Sequence, residues 1–235
     1  MAGDESTQNR MTGFWNTIAP GYEAHEGNVA ALGSNEYMAW VEALGELLPS
    51  APADVLDLGT GTGFVALIAA ELGHRVVGTD LSEGMLREAR SAARKRGVQV
   101  SFELGDAVTP EYPGEAFDAI VARHLLWTLR EPEEAFQNWR RVLRSNGRVV
   151  AIDGHWFGGG VDSDDPDTPE LFRRHYARDT RSVLPLMRAN EPRPAVEMFR
   201  RAGFAVVELS YLTKVHALAE HPPSQDPWFV IVAKR

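Results

Sequence analysis

The chain contains no cysteine. That excludes disulfides and every thiolate metal centre. No apolar run approaches the roughly 20 residues a membrane span needs, and the start of the chain lacks the apolar core of a signal peptide. Lysine and arginine gather nowhere beyond Arg94, Lys95 and Arg96, and the formal net charge is −9. An acidic chain is poorly suited to hold a phosphate backbone, so nucleic acid is not expected as a partner. No two histidines stand four apart and no other ligand cluster appears, so no metal site is expected. Internal repeats and low-complexity tracts are also missing. These absences leave a cytoplasmic protein that works on small molecules as the default expectation.

The 235 residues suit one α/β domain, and a hydrophobic share of 44% suffices for a packed core. The chain is organised around residues 54–64, Asp-Val-Leu-Asp-Leu-Gly-Thr-Gly-Thr-Gly-Phe. They read as a short apolar strand, a glycine turn and a helix start. Such a unit makes a nucleotide-sized pocket at the carboxyl end of its strand. The next strand, 75–80, ends in Asp80, 17 positions after Gly63. A carboxylate at about that distance grips ribose hydroxyls.

The glycine spacing separates two ligand classes. Dinucleotide sites want G-x-G-x-x-G with a small third residue. Here the spacing is G-x-G-x-G, and Phe64 would crowd the third glycine's place. Asp57 sets a carboxylate before the turn, which suits an ammonium group better than a pyrophosphate. The pattern points to a nucleoside with a cationic tail and away from a nicotinamide-dependent oxidoreductase.

The ordered set of Asp57 to Gly63, Asp80, then Gly105-Asp106-Ala107, then Phe117-Asp118 resembles the class I S-adenosylmethionine-dependent methyltransferases. The resemblance is to the small-molecule branch with the ubiquinone/menaquinone-type enzymes, and covers roughly residues 50–155. It implies a Rossmann-like, seven-stranded, mostly parallel α/β sheet with helices on both faces and an antiparallel last strand. It implies S-adenosylmethionine as cofactor, held by Tyr22, Asp57, Gly59, Thr60, Gly61, Gly63, Asp80, Leu81, Met85, Asp106, Ala107 and Arg123. Within that set Tyr22, after Ala19, covers the cofactor, and Asp106 accepts from the adenine amino group. Met85 reads either as a contact to adenine or, at helical spacing, as core.

One domain is expected in four parts: a helical cap over 1–50, a cofactor core over 51–157, an insert or lid over 158–192, and a last helix with a strand pair over 193–235. Residues 1–8 read as mobile. Residues 36–48 read as a helix burying Tyr37, Trp40, Val41, Leu44 and Leu48, with Phe14 also packed. Ser82 reads as the cap of a helix stopped at Gly97, and a third strand follows over 98–104. The fourth strand spans 117–122. Pro132 opens a helix, and Asn146-Gly147 turns the chain into a fifth strand, 148–153. Gly158, Gly159 and Gly160 open a flexible lead, and Thr168-Pro169-Glu170 starts a helix. A helix over 194–202 precedes strands 205–212 and 228–234, joined by a hairpin connection through Pro222-Pro223.

Ligands in such sheets gather at the carboxyl ends of the strands. Two histidines fall there, His124 after strand four and His155 after strand five. His124 is the first candidate for a catalytic base and His155 the second. Trp127, Trp156 and Phe157 read as an aromatic wall for a flat acceptor or, for Trp127, as core. The expected activity is methyl transfer to a nitrogen, oxygen or carbon of a small acceptor, by a monomer or homodimer. C-methylation of a quinone-like ring and cofactor binding without turnover are the alternatives.

Overall fold

The computed structural model describes residues 2–23, 29–157, 169–219 and 226–235. Its strands are β1 (Asp54–Leu58), β2 (Arg75–Asp80), β3 (Ser101–Leu104), β4 (Phe117–Arg123), β5 (Leu143–Asp153), β6 (Val206–Tyr211) and β7 (Phe229–Lys234). They form one seven-stranded sheet in the order β3-β2-β1-β4-β5-β7-β6. β1 to β5 pair in parallel, and β7 runs antiparallel to both β5 and β6. The expected sheet, with its single reversed strand, is the observed one.

Helices cover both faces, which is why the central strands are apolar on both sides. On one face lie α2 (Asn35–Leu47), α3 (Phe64–Glu71) and α4 (Glu83–Arg96), packed on Val55 and Val121 through Trp40, Leu44, Leu67 and Leu86. On the other, α5 (Pro132–Val142) and the later helix Pro192–Arg201 cover Leu56, Leu58 and Ile120 with Phe136, Trp139 and Phe199. The pleat explains the split: Val55 and Leu56 point to opposite faces, so Asp57 points to the α3 side. Ser82 caps α4 by accepting from Met85 N at 3.1 Å, and Gly97 closes it at φ 68°, as its sequence indicates.

The N-terminal reading needs correction. Residues 2–8 belong to a helix, α1 (Ala2–Ile18). After β5 come three short helices, α6 (Glu170–His175), α7 (Arg178–Ser182) and α8 (Pro185–Ala189). Met11 and Phe14 of α1 bury themselves against Tyr176, Leu184 and Met187, with Trp15, Trp127, Phe157 and Phe172 packed around them. Arg10 anchors the pair from outside, with Nη2 2.8 Å from Asp179 Oδ2 and Nε 3.2 Å from Thr180 Oγ1.

Smaller differences also have reasons. β3 begins at Ser101, three residues late, because Gly97 to Val100 complete the exit from α4. Asn146 and Gly147 make no turn; both lie inside β5, and a register shift against β4 between Phe117 and Ala119 absorbs the extra residues. The last large helix, α9, starts at Pro192, with Pro in its first turn. A short helix, α10 (Thr213–Leu218), occupies part of the expected hairpin connection. Gly158, Gly159, Gly160, Thr168 and the Pro222-Pro223 connection lie outside the described residues. Among the described residues no helix is long and apolar enough to cross a membrane.

Candidate active site

The glycine turn leaves β1 and is stitched to β2. Thr60 N donates to Thr79 O at 2.9 Å, and Gly63 N returns to Thr60 O at 2.8 Å. Gly61 sits at φ 55°, and a Cβ there would meet nothing within 4 Å. Its backbone therefore faces open space, the cradle a ligand needs. Gly63, at φ 88°, has the opposite character: a Cβ would lie 3.1 Å from Phe102 Cζ and 3.2 Å from Ala89 Cβ. The third glycine thus serves helix packing, and Phe64 fills the space beside it. Its ring meets Trp40 edge-on at 5.7 Å and Tyr37 at 6.2 Å.

Two carboxylates brace the turn. Asp57 Oδ2 accepts from Thr60 Oγ1 at 2.6 Å and from Ala66 N at 3.1 Å. Burial pushes its pKa up to about 7, against the pull of those two hydrogen bonds and with help from the charge of Asp80. Asp80 Oδ2 accepts from Gly61 N at 2.9 Å, and Oδ1 from Ser82 N at 2.8 Å. Burial raises its pKa too, while the backbone N–H groups of Ser82, Gly61 and Leu81 oppose the rise.

A cavity opens on this turn and is lined by Asp57, Gly59, Thr60, Gly61, Asp80 and Leu81. Tyr22, Met85, Asp106, Ala107, Arg123 and His124 face the same cavity. Gly63 stands one step behind it. Met85 fits both of its readings, being 2% exposed and on the cavity wall. Asp106 Oδ1 accepts from Val108 N at 2.8 Å, and Trp139 fixes the neighbouring loop by donating to Ala107 O at 2.7 Å. Asp118, part of the motif set, works at the far end of the sheet instead. Its Oδ2 accepts from Asp54 N and from Arg144 Nη1, each at 2.8 Å.

The Arg123 guanidinium lies 4.9 Å from the Trp40 ring centroid and 4.8 Å from that of Phe64. Its charge faces Tyr22, Glu36, Asp57 and Asp153. Burial lowers its pKa, and these neighbours counter the effect; an arginine remains a cation under such a shift. Next to it His124 takes a left-handed backbone, φ 57°. Its ring packs edge-on with Trp156 at 4.5 Å, and Nε2 is sealed from solvent without a hydrogen-bond partner. Burial first, then the Arg123 charge, hold its pKa well below 6.5, so the ring is neutral at cellular pH.

His155 does not join it. Its Nδ1 lies 3.0 Å from Asn190 O, and a carbonyl only accepts, so Nδ1 carries the proton and is spent on the α8 cap. The ring rests on Phe229 at 5.8 Å, away from the cavity lining. Trp127 and Phe157 likewise pack with α1 and α6 and do not face the cavity. Trp156 Nε1 donates to Asp153 Oδ1 at 2.5 Å, and burial pushes the Asp153 carboxyl up to about 6 against that hydrogen bond.

The cavity has a roof in which the sequence reading named only Tyr22. Gln8, Met11, Thr12 and Trp15 of α1 line it, and so does Arg130, whose Nη2 is 4.0 Å from Asp106 Oδ2. The spacing 8, 11, 12, 15 is that of one helical face, the signal that would have found them. Among the described residues no three potential metal ligands gather.

The residues present fit an adenosine ligand with a cationic tail: an open glycine backbone, a carboxylate for the sugar, and acids at both ends of the cavity. Comparisons with known proteins agree. Residues 56–151 match the model of the family described as "Methyltransferase domain". The demethylmenaquinone methyltransferase of Thermus thermophilus is 39% identical over 108 residues, 45% of this chain and 49% of that protein. The chain thus spans about half the length of that curated relative. Phosphoethanolamine N-methyltransferase 2 of Haemonchus contortus, solved with phosphomonomethylethanolamine and S-adenosylhomocysteine, superposes at a TM-score of 0.66. It shares 21% identity over 94% of this chain and 58% of that one. The [4+2]-cyclase SpnF superposes at 0.65 with 20% identity, over 98% of this chain and 96% of its own. At such identities the two structures show the fold alone. Family model, curated relative and sheet order point the same way: residues 56–151 match a methyltransferase domain, and the chain is similar in sequence and fold to S-adenosylmethionine-dependent methyltransferases.

Proposed function

We propose that this protein transfers a methyl group from S-adenosylmethionine to a nitrogen, oxygen or carbon of a small acceptor. The observation that carries the reading is the Asp80 carboxylate, bonded to the N–H of the open Gly61 and facing the cavity. Asp80 would hold the ribose, Asp106 the adenine amino group, and Asp57 would balance the ammonium end. The cofactor supplies, when bound, an electrophilic methyl group on a sulfonium that leaves without acid assistance. What the chain must add is alignment and exclusion of water. The α1 roof lines the cavity and is itself packed on the helices after β5, which supports reading α1 and those helices as the acceptor-recognising elements. Its neutral ring on the cavity wall supports His124 as the base for an acceptor hydroxyl. The deciding experiment is a methyl-transfer screen against diverse small acceptors; a protein that binds the cofactor yet methylates none of them would be a binding protein.

A second reading within this activity is C-methylation of a quinone-like ring. The Thermus relative, named a demethylmenaquinone methyltransferase, favours it, and a naphthoquinol in the same screen tests it.

Asp57 gives a pH prediction. Its carboxyl is half neutral near the raised value of about 7. A ligand ammonium favours the charged form, so below that pH binding must expel a proton. S-adenosylhomocysteine affinity is expected to rise by up to about tenfold per pH unit between about pH 6 and about pH 7, then level off. Calorimetry in two buffers of different ionisation enthalpy reads the released proton. Asp57→Asn should flatten the profile; an unchanged slope in that variant assigns the proton to another group.

A further inference from the structure

The roof helix also reaches the Asp80 carboxylate through Ser82, a residue of the cavity lining. Asn16 lies in the last turn of α1. Its Oδ1 accepts from Ser82 Oγ at 2.9 Å and from Gly84 N at 2.8 Å. Ser82, 1% exposed, donates its own N–H to Asp80 Oδ1 at 2.8 Å, and Asp80 Oδ2 takes Gly61 N at 2.9 Å. Three elements, the roof, the start of α4 and the glycine turn, therefore meet through one serine and one carboxylate.

The crossing is close and specific. A Cβ on Gly84 would lie 2.9 Å from Asn16 Oδ1 and 3.1 Å from Asn16 Cα. Gly84 N is one of the first N–H groups of α4, which have no partner within their own helix. Ser82 satisfies Met85 N, and Asn16 satisfies Gly84 N from a different helix. If α1 swings away, Gly84 N loses its acceptor and the Ser82 hydroxyl is released. The serine whose N–H orients Asp80 is then held less firmly. In the other direction, hydroxyls donated to Asp80 stabilise the carboxylate that Ser82 N–H points at.

We propose that Asn16 is a positioning residue that couples docking of the roof helix α1 to the setting of Asp80 for the cofactor's ribose. The proposal rests on the reading that Asp80 holds that ribose. Coupling of this kind is reciprocal: the factor by which docked α1 improves ligand affinity equals the factor by which the ligand improves docking.

The test combines calorimetric affinity for S-adenosylhomocysteine with hydrogen exchange of residues 2–18, with and without that ligand. Asn16→Leu keeps the size and removes the acceptor; Asn16→Asp keeps an acceptor. In the unaltered protein the ligand should slow exchange in α1. N16L should weaken affinity about tenfold and abolish the ligand-dependent protection, and N16D should restore both to within about threefold of the unaltered protein. A merely structural asparagine gives another result: N16L speeds exchange equally with and without ligand and leaves affinity unchanged. That outcome overturns the proposal. Should N16L fail to fold, Asn16→Gln, which displaces the acceptor by one methylene, makes the same comparison. If the unaltered protein does not bind S-adenosylhomocysteine, the functional reading falls and the coupling with it. Binding by the unaltered protein with N16L at the same affinity overturns the coupling alone.

Discussion

His124→Ala is expected to lower turnover by about a hundredfold or more while leaving S-adenosylhomocysteine affinity within about twofold. The size follows from the ordinary worth of a positioned base, which acts on the acceptor and not on the cofactor. His124 suits the task because it is neutral: burial and the adjacent Arg123 charge keep a proton off it. The cost is basicity, since a ring with so low a pKa captures a proton less avidly. The same shift fixes the shape of the pH profile. A base is lost when it protonates, so the acid limb of kcat/KM assigned to His124 should lie well below pH 6.5. An acid limb near 7 would instead trace to Asp57. Equal loss of turnover and cofactor affinity in His124→Ala would make the histidine a strut for Trp156. A full rate with an amine acceptor but not with a phenol would show that the base serves only acceptors that must lose a proton early.

Asp80→Ala should weaken S-adenosylhomocysteine binding by well over tenfold, measured by calorimetry. Hydrogen bonds to a charged acceptor are worth roughly 1.5–3 kcal/mol, and each 1.4 kcal/mol is a factor of ten. The carboxylate also holds Gly61 N and Ser82 N, so its removal loosens the turn before any ligand arrives. Asp80→Asn separates the two contributions. Its single carbonyl oxygen can replace one of the two carboxylate oxygens that take those N–H groups but not both, and the NH2 group in the other place cannot accept from a sugar hydroxyl. The asparagine variant should therefore keep most of the stability and lose most of the affinity. Unchanged affinity in both variants would remove the sugar from Asp80 and with it the assignment of the cavity.

The unit from β1 through the glycine turn to Asp80 was legible because its signals are local. Val55 to Leu58 is apolar enough for a buried strand, Gly61 and Gly63 mark the turn, and the acid follows at the end of the next strand. The roof was not legible, because its partner is far away in the chain. Met11 and Phe14 are spaced for a helix, but the residues that bury them, Tyr176 and Leu184 among them, come some 160 positions later. Without that partner a polar N-terminal segment reads as mobile. The two histidines show a further limit. Both follow a strand at the carboxyl edge, and position alone treats them alike. His124 turns into the cavity through a left-handed backbone that few non-glycine residues adopt, whereas His155 finds the Asn190 carbonyl of a helix with no strong periodicity. Asn146-Gly147 misled for a similar reason: the dipeptide favours a turn, and pairing with β4 and β7 around it holds it within a strand.

The order of the strands also constrains how the protein is made. Among the described residues β6 reaches the sheet through β7, which follows it in the chain. On the ribosome β6 must therefore wait until Phe229–Lys234 has emerged. Until then the far side of β5 has no neighbour, and its unpaired peptide groups are a template for another nascent chain. A premature stop codon before Phe229 would remove six residues of strand and leave two edges unmatched. Such a product is a substrate for chaperones and proteases, even though every residue of the cavity described above has already been synthesised.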